Sequence, residues 1–169
     1  MSTLATTILI IVILLIILIA SIWYAKEGLE PEPFRNDLQI PTIKGSYNEI
    51  EFSILDKINT ERLYHKLGKL DLEDISSLTI GMHMNTCMRN EKVSHNNVQY
   101  RFNDLKELLS VRRLGEIVVY GHKDTESLLE KLLGSSTHRD ILLGDYNKIG
   151  ISAKLDSRSK MYVGLILMK

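Results

Sequence analysis

Hydrophobic positions fall into two regimes along this chain. The first 25 residues carry no charged side chain, and positions 4–24 read LATTILIIVILLIILIASIWY. A helix of that length spans roughly 30 Å, the thickness of a bilayer's hydrocarbon core. Trp23 and Tyr24 stand at its end, where interfacial aromatics belong. A cleaved signal peptide needs a basic start, a shorter apolar run and small residues at a cleavage site. Here Lys and Arg are missing from the start, the run is long, and Ala20, Ser21 and Ala25 form no A-x-A pattern. The pattern predicts one uncleaved transmembrane helix over 1–25.

Residues 26–45 hold all three prolines, Pro31, Pro33 and Pro41, and alternate with charges. They read as an extended linker. From residue 46 the apolar positions turn periodic. Ser46-Tyr-Asn-Glu49 matches a capping box, followed by Ile50, Ile54, Leu55 and Ile58 at helical spacing, with Gly68 as the stop. Asp71 to about Asn90 predicts a second helix with Ile75, Leu78 and Met82 inward, and Phe102–Ser110 a short third. Asp124-Thr125 caps a fourth through Leu128, Leu129, Leu132 and Leu133 to Gly134, and SSTHRDIL (135–142) adds a turn of helix.

The last fifth changes period. KIGISAKL (148–155) and MYVGLILMK (161–169) read as a β-hairpin around the turn DSRSK, and EIVVYG (116–121) as a third strand. Helices first and strands last predict an α+β domain over 46–169, with helices on the faces of a small sheet.

Charge and cysteine content narrow the classes. Lys+Arg and Asp+Glu both number 21, with no basic stripe, so nucleic acid is not the expected partner. Cys87 is the sole cysteine, which excludes intrachain disulfides and with them the disulfide-dense secreted scaffolds. Lys26 and Arg35 follow the apolar span and no basic residue precedes it, which favours the cytoplasmic side for the C-terminal domain. The sequence also lacks an Asn-x-Ser/Thr sequon.

The candidate chemistry rests on five histidines and one acid, Glu116 in LGEIVVYG. His83 lies among core positions of the second helix and reads as structural. Cys87 reads as a small buried apolar residue, and Met82, Met84 and Met88 as core packing.

Four short motifs follow one another in a telling order: INTERLYHKLGKLDL (58–72), MHMNTCMRNEKVSHN (82–96), RLGEIVVYG (113–121) and LLGSSTHRDILLGDYNKIGISA (132–153). In this order the chain resembles the CAP superfamily (cysteine-rich secretory, antigen 5 and pathogenesis-related domains), in its bacterial, cysteine-poor form. Asn59 and Arg62 match the family's N-x-x-R, and Ser94-His95 its serine-histidine. Gly115-Glu116-Ile117 stands where the family reads G-E-N. Ser135, His138, Arg139, Ile141 and Leu142 match the S-P-x-H-R-x-x-I-L stretch, and Ile149-Gly150-Ile151 the strand after it.

The resemblance implies an α-β-α sandwich with a shallow cavity lined by His95, Glu116 and His138, supported by Ser135, Arg139, Asn59 and Arg62. Ser135 and its neighbours would then fix the His138 rotamer, and Arg139 would bond a carboxylate or carbonyls. His95 and His138 would be the protein ligands of a weakly held divalent metal such as zinc, if any cofactor is bound. The departures are Ile117 for asparagine, Leu132 for tryptophan and Ser136 for proline, and neither Glu126 nor Glu130 aligns with the family's second acid.

The expected function is that of a single-pass, membrane-anchored CAP-like domain acting by binding or structural interaction. Its partners would be the bilayer and other proteins of a membrane-associated assembly, such as a virion with an internal membrane. The alternatives are a metal- or lipid-binding cavity and, less favoured, a hydrolase with His95 or His138 as base.

Overall fold

The computed structural model describes residues 46–169. The apolar span at 4–24 and the linker to residue 45 lie outside the described residues. Among those described, no helix is long and apolar enough to cross a membrane.

Helix α1 spans Glu49–Tyr64. Its capping box lies two residues later than the Ser46 box expected from sequence: Asn48 Oδ1 accepts from Glu51 N, and Glu51 Oε2 accepts from Asn48 N, both at 2.9 Å. The sheet decides this choice. Asn48 Nδ2 also donates to Ala153 O at 3.2 Å, and Glu51 Oε1 accepts from Ala153 N at 2.9 Å. Ser46 has no comparable second anchor. Ile54, Ile58 and Arg62 form the buried row of α1, and the helix stops at Tyr64, four residues before Gly68.

The segment after α1 is closed by two side chains. Asn59 bridges Leu70 on both sides, accepting from its N–H at 2.7 Å and donating to its carbonyl at 3.0 Å. Arg62, 1% exposed, donates to four backbone carbonyls: Gly68 at 2.9 Å, Leu142 at 2.6 Å, Gly144 at 3.0 Å and Tyr146 at 2.9 Å. Burial lowers its pKa below the ordinary arginine value. Both residues, expected as supports of the cavity, are seen to tie α1 to residues 68–70 and 142–146.

Strand β1 (Asp71–Leu72) is short, and helix α2 runs Asp74–Arg89, opened by the Glu73 side chain accepting from Ser76 N. Its buried face is Ser76, Ser77, Ile80, Met84 and Cys87. Of the expected inward row, Ile75 packs against the core that Ile80, Met84 and Cys87 enter, whereas Leu78 and Met82 do not face it and are 49% and 58% exposed. The sheet beneath explains the rotation. A Cβ on Gly150 would lie 2.3 Å from Ser76 Oγ, and one on Gly164 2.5 Å from Ile80 Cγ1. Contact this close admits serines where large side chains would clash. Ser77 Oγ also accepts from Ile151 N at 3.0 Å, so the serine face bonds to the sheet as well as fitting it.

Helix α3 (Val98–Leu109) starts four residues before Phe102, after Asn97 takes a left-handed φ of 60°. Strand β2 (Leu114–His122), helices α4 (Thr125–Gly134) and α5 (Ser136–Leu142), and strands β3 (Lys148–Leu155) and β4 (Met161–Met168) complete the order. The sheet order is β1-β3-β4-β2. β1 pairs parallel to β3, and β4 is antiparallel to both β3 and β2. A register shift between Tyr120 and His122 falls at Gly121, whose φ of 108° suits a residue without Cβ.

Alternation divides the sheet's two faces. Ile117, Val119, Ile149, Ile151, Val163, Leu165 and Leu167 join α1, α4 and α5 in one core. Val118, Tyr162, Ile166 and Met168 join Ile80, Met84, Cys87 and Leu105 of α2 and α3 in the other. The architecture is an α-β-α sandwich.

Candidate functional site

Glu116 lies on β2 next to Ile117, so alternation turns the two side chains to opposite faces. Ile117 enters the α1 core, fully buried, which gives an apolar residue at that position a physical reason. Glu116 turns to the α2/α3 side with its side chain 2% exposed. Just before it, Gly115 gives room: a Cβ there would meet Ile141 Cγ2 and Tyr146 Oη at 2.9 Å.

A carboxylate buried this deeply needs charge partners and hydrogen bonds. Arg101, from the first turn of α3, supplies a fork. Nε donates to Oε2 at 2.8 Å, and Nη2 donates to Oε1 at 2.8 Å and Oε2 at 2.6 Å. Nη1 donates to Asn96 O at 2.7 Å. His95 Nδ1 donates to Glu116 Oε1 at 2.9 Å, with the ring 54% exposed. That bond fixes the Nδ1–H and leaves Nε2 on the outward edge.

The loop bearing His95 is held from a second side. His83 Nε2 donates to Ser94 O at 2.6 Å, which requires the proton on that nitrogen. Cys87 Sγ lies 3.6 Å from the same nitrogen. Because Nε2–H is spent on the carbonyl, the imidazole cannot take the thiol's proton, so the contact is not a Cys–His nucleophile pair. Cys87 is buried at 2% exposure, a core residue.

His138 sits inside α5 and is partly buried. Its Nδ1 is buried and has no hydrogen-bond partner among the described residues. Its pKa is lowered, first by burial and then by the positive charges of His95 and Lys131. The hydrogen-bonded contact of the site is between His95 and Glu116, and His138 Nδ1 takes no part in it.

The supporting residues act differently from expectation. Ser135 is the N-cap of α5 but makes no side-chain cap bond, so the serine-rich turn does not hold His138 by that means. Arg139 is exposed, and its backbone carries the turn, with Arg139 N donating to Ser135 O at 2.8 Å. Glu126, one candidate for the second acid, is exposed and pairs with Lys57 of α1. Leu132 is a 1%-exposed core residue. Leu78 and Met82 line an open groove of about 320 Å³ with Tyr47, Asp74, Ser77 and Ser152. Sequence reasoning missed Arg101. The available signal was an arginine in the first turn of a helix that directly follows the serine-histidine motif.

A layered α-β-α core with this strand order and a histidine-glutamate contact at one end can be set beside known structures. An outer surface protein from Borrelia burgdorferi superposes with a TM-score of 0.64 at 18% identity, over 73% of this chain and 96% of that one. A cysteine-rich secretory protein from Staphylococcus aureus matches at 0.60 and 18% identity, covering 70% of this chain and 37% of that one. An extracellular SCP-domain protein from Bacillus anthracis matches at 0.60 and 20%, covering 74% and 45%. The fold is CAP-like. This chain spans less than half the length of the last two proteins. Its sequence matches no protein-family model and no curated protein.

The metal implied by the resemblance can be tested against these residues. Among the described residues no three His, Cys, Asp or Glu side chains are grouped to hold an ion. Glu116's oxygens are engaged by Arg101 and His95, and a divalent cation there would face the guanidinium's like charge. As arranged, the residues do not fit a metal.

Proposed function

We propose that this chain is a membrane-anchored CAP-like domain that works by binding other molecules, with 1–25 as anchor, 26–45 as linker and 46–169 as the binding domain. The observation supporting binding over catalysis is the state of Glu116. Its carboxylate, the acid beside the histidines, is buried and fully engaged by Arg101 and His95. Glu116 thus has no lone pair free to act as base itself, and among the described residues no serine, threonine or cysteine side chain hydrogen-bonds the His95 ring that it orients. The anchor reading is supported by the uncharged apolar run in the sequence, and a membrane-associated assembly, such as a virion with an internal membrane, is the setting it fits. The charge bias at Lys26 and Arg35 favours the cytoplasmic side. A second reading, with the domain outside the cell, is favoured by the names of the similar structures, an outer surface protein and an extracellular protein.

The test is flotation of the full chain with liposomes and with native membranes, beside a chain lacking 1–25, followed by protease treatment of sealed right-side-out vesicles. Flotation of the full chain alone, resistant to carbonate, is expected. Protection of the C-terminal domain supports the cytoplasmic side and digestion the outer one. A full chain that stays soluble overturns the anchor. Turnover of generic esters that disappears on His138→Ala would overturn the binding role.

A further inference from the structure

We propose that the end of the sheet carrying Lys148, Lys169, Arg112 and Arg113 is the surface by which this domain binds an acidic segment of a partner protein. The inference rests on the binding role proposed above, names its partner class, and does not depend on the anchor.

In the sequence these cations are scattered, at positions 69, 112–113, 148 and 169. The sheet gathers them. Lys148 opens β3 and stands opposite Met168 of β4, which in turn stands opposite Leu114 of β2. One step further out, Lys169 O accepts from Arg112 N at 2.8 Å and Arg113 N at 3.1 Å, and Lys169 N donates to Arg113 O at 3.0 Å. On the other side of Lys148 is Asp71 of β1, with Lys69 two residues before it. Neighbouring strand ends about 4.8 Å apart therefore set the five cations in a row roughly 15 Å long. All five are exposed.

The acids standing among them are Asp71 and Asp145. Of the five cations only Lys169 has a carboxylate partner among the described residues, Asp145 at 2.7 Å. Arg113 lies over the Tyr146 ring at 5.1 Å, a contact that holds the guanidinium without using its N–H groups. The Asp145 carboxyl is held below its usual value, first by the hydrogen bond from Lys169 and also by the charges of Arg113 and Arg62. The far end of the sheet differs: there Arg158 pairs with Asp156, and Asp124 follows Lys123. An unbalanced row of one sign attracts anions and raises their rate of encounter.

The chemistry of the row selects a polypeptide. Two carboxylates interrupt it, and a partner carrying mostly acids with a few bases matches both signs. A nucleic-acid backbone presents negative charge alone and would meet those carboxylates with repulsion. Tyr146, the ring beneath Arg113, is only 8% exposed and offers no stacking platform for bases.

The experiment uses the full chain in phosphatidylcholine nanodiscs, or in buffer if it proves soluble. The probe is a short fluorescein-labelled peptide of Glu-Glu-Lys repeats, read by anisotropy. Binding is expected, and it should weaken steeply as salt is added. Arg112→Glu with Lys148→Glu should weaken it at least about tenfold, because the peptide then meets like charge. Arg112→Gln with Lys148→Gln should act in the same direction and keeps the test open if the first pair folds poorly by circular dichroism. Lys123→Glu with Lys160→Glu makes the same change in net charge at the far end of the sheet. That end is roughly 25 Å away along strands of this length, several times the screening length of about 8 Å at physiological salt. This pair should leave the affinity within about twofold. Absence of binding, or equal loss with the row and far-end pairs, overturns the inference. Tighter binding of duplex DNA or of phosphatidylserine vesicles, lost with the row pair, overturns the polypeptide as partner. None of these outcomes alters the flotation or ester-turnover readouts, so this inference and the binding role fail separately.

Discussion

Two arginines are held in this domain by opposite means. Arg62 is 1% exposed and spends its guanidinium on four backbone carbonyls from residues 68, 142, 144 and 146. Arg101 spends its guanidinium mainly on one side chain, Glu116. The first joins segments of backbone that any sequence would carry. The second joins a specific acid and, through it, His95. Losing Arg62 removes donors from carbonyls that cannot be mutated away, whereas losing Arg101 exposes a charge that a second substitution can erase. The contrast marks one region as scaffold and the other as a site.

The largest expected effect comes from breaking the scaffold. Arg62→Ala leaves four acceptors without their donor, each costing about 1–3 kcal/mol when buried. The expected loss, about 5 kcal/mol or more, is a large share of a domain's total stability. Urea unfolding should show much of the variant unfolded in water. Arg62→Lys should recover less than half, because one ammonium cannot reach carbonyls arranged around a planar fork.

Breaking the site should cost less and be repairable. Glu116→Leu alone leaves Arg101 buried and unpaired, at about 3–5 kcal/mol. The double variant Glu116→Leu with Arg101→Met should regain most of that by denaturant titration. If the double variant is as unstable as the sum of the singles, the two residues are not a local pair. No second substitution should rescue Arg62→Ala.

His83→Phe probes the outer edge of the site. It removes one hydrogen bond to Ser94 O, worth about 1 kcal/mol. Hydrogen exchange should quicken in residues 90–97 while the β3–β4 ladder stays protected.

The smallest effect is one of pH. His138's pKa lies below its unfolded value of 6.5, so the unfolded chain takes up the proton first. The stability it contributes is fully present above about pH 6.5 and declines as pH falls toward the folded value. His138→Gln should flatten the stability profile there, while Glu116→Gln should leave that decline in place.

Much of the layered fold was legible in the sequence because strand alternation and the α4 cap are local signals. The β3–β4 hairpin and α4 lie where the pattern put them. The face of α2 was legible at Ile75 but not beyond it, because the hydrophobic Leu78 and Met82 outscored serines whose role depends on Gly150, more than 70 residues away. The α1 cap was misplaced for a similar reason: Ser46 and Asn48 are equivalent locally, and only Ala153 distinguishes them. At the site, motif order picked out His95 and Glu116, which hydrogen-bond. Arg101 was passed over despite its place just after the serine-histidine motif, since an arginine in a first helical turn reads as a solvated charge until a buried carboxylate faces it.

The order of strands in the sheet sets a timetable for synthesis. β4, the last strand in the chain, lies between β3 and β2 and is buried at all eight positions. A ribosome-bound chain stopped before residue 161 would have β2 with no partner and both core layers open on one side. Closure therefore waits for long-range pairing, which folds slowly and leaves strand edges exposed meanwhile. Until those residues emerge, the apolar strands already made depend on chaperones or on speed, and a nascent chain stalled there is the form of this protein most prone to aggregate.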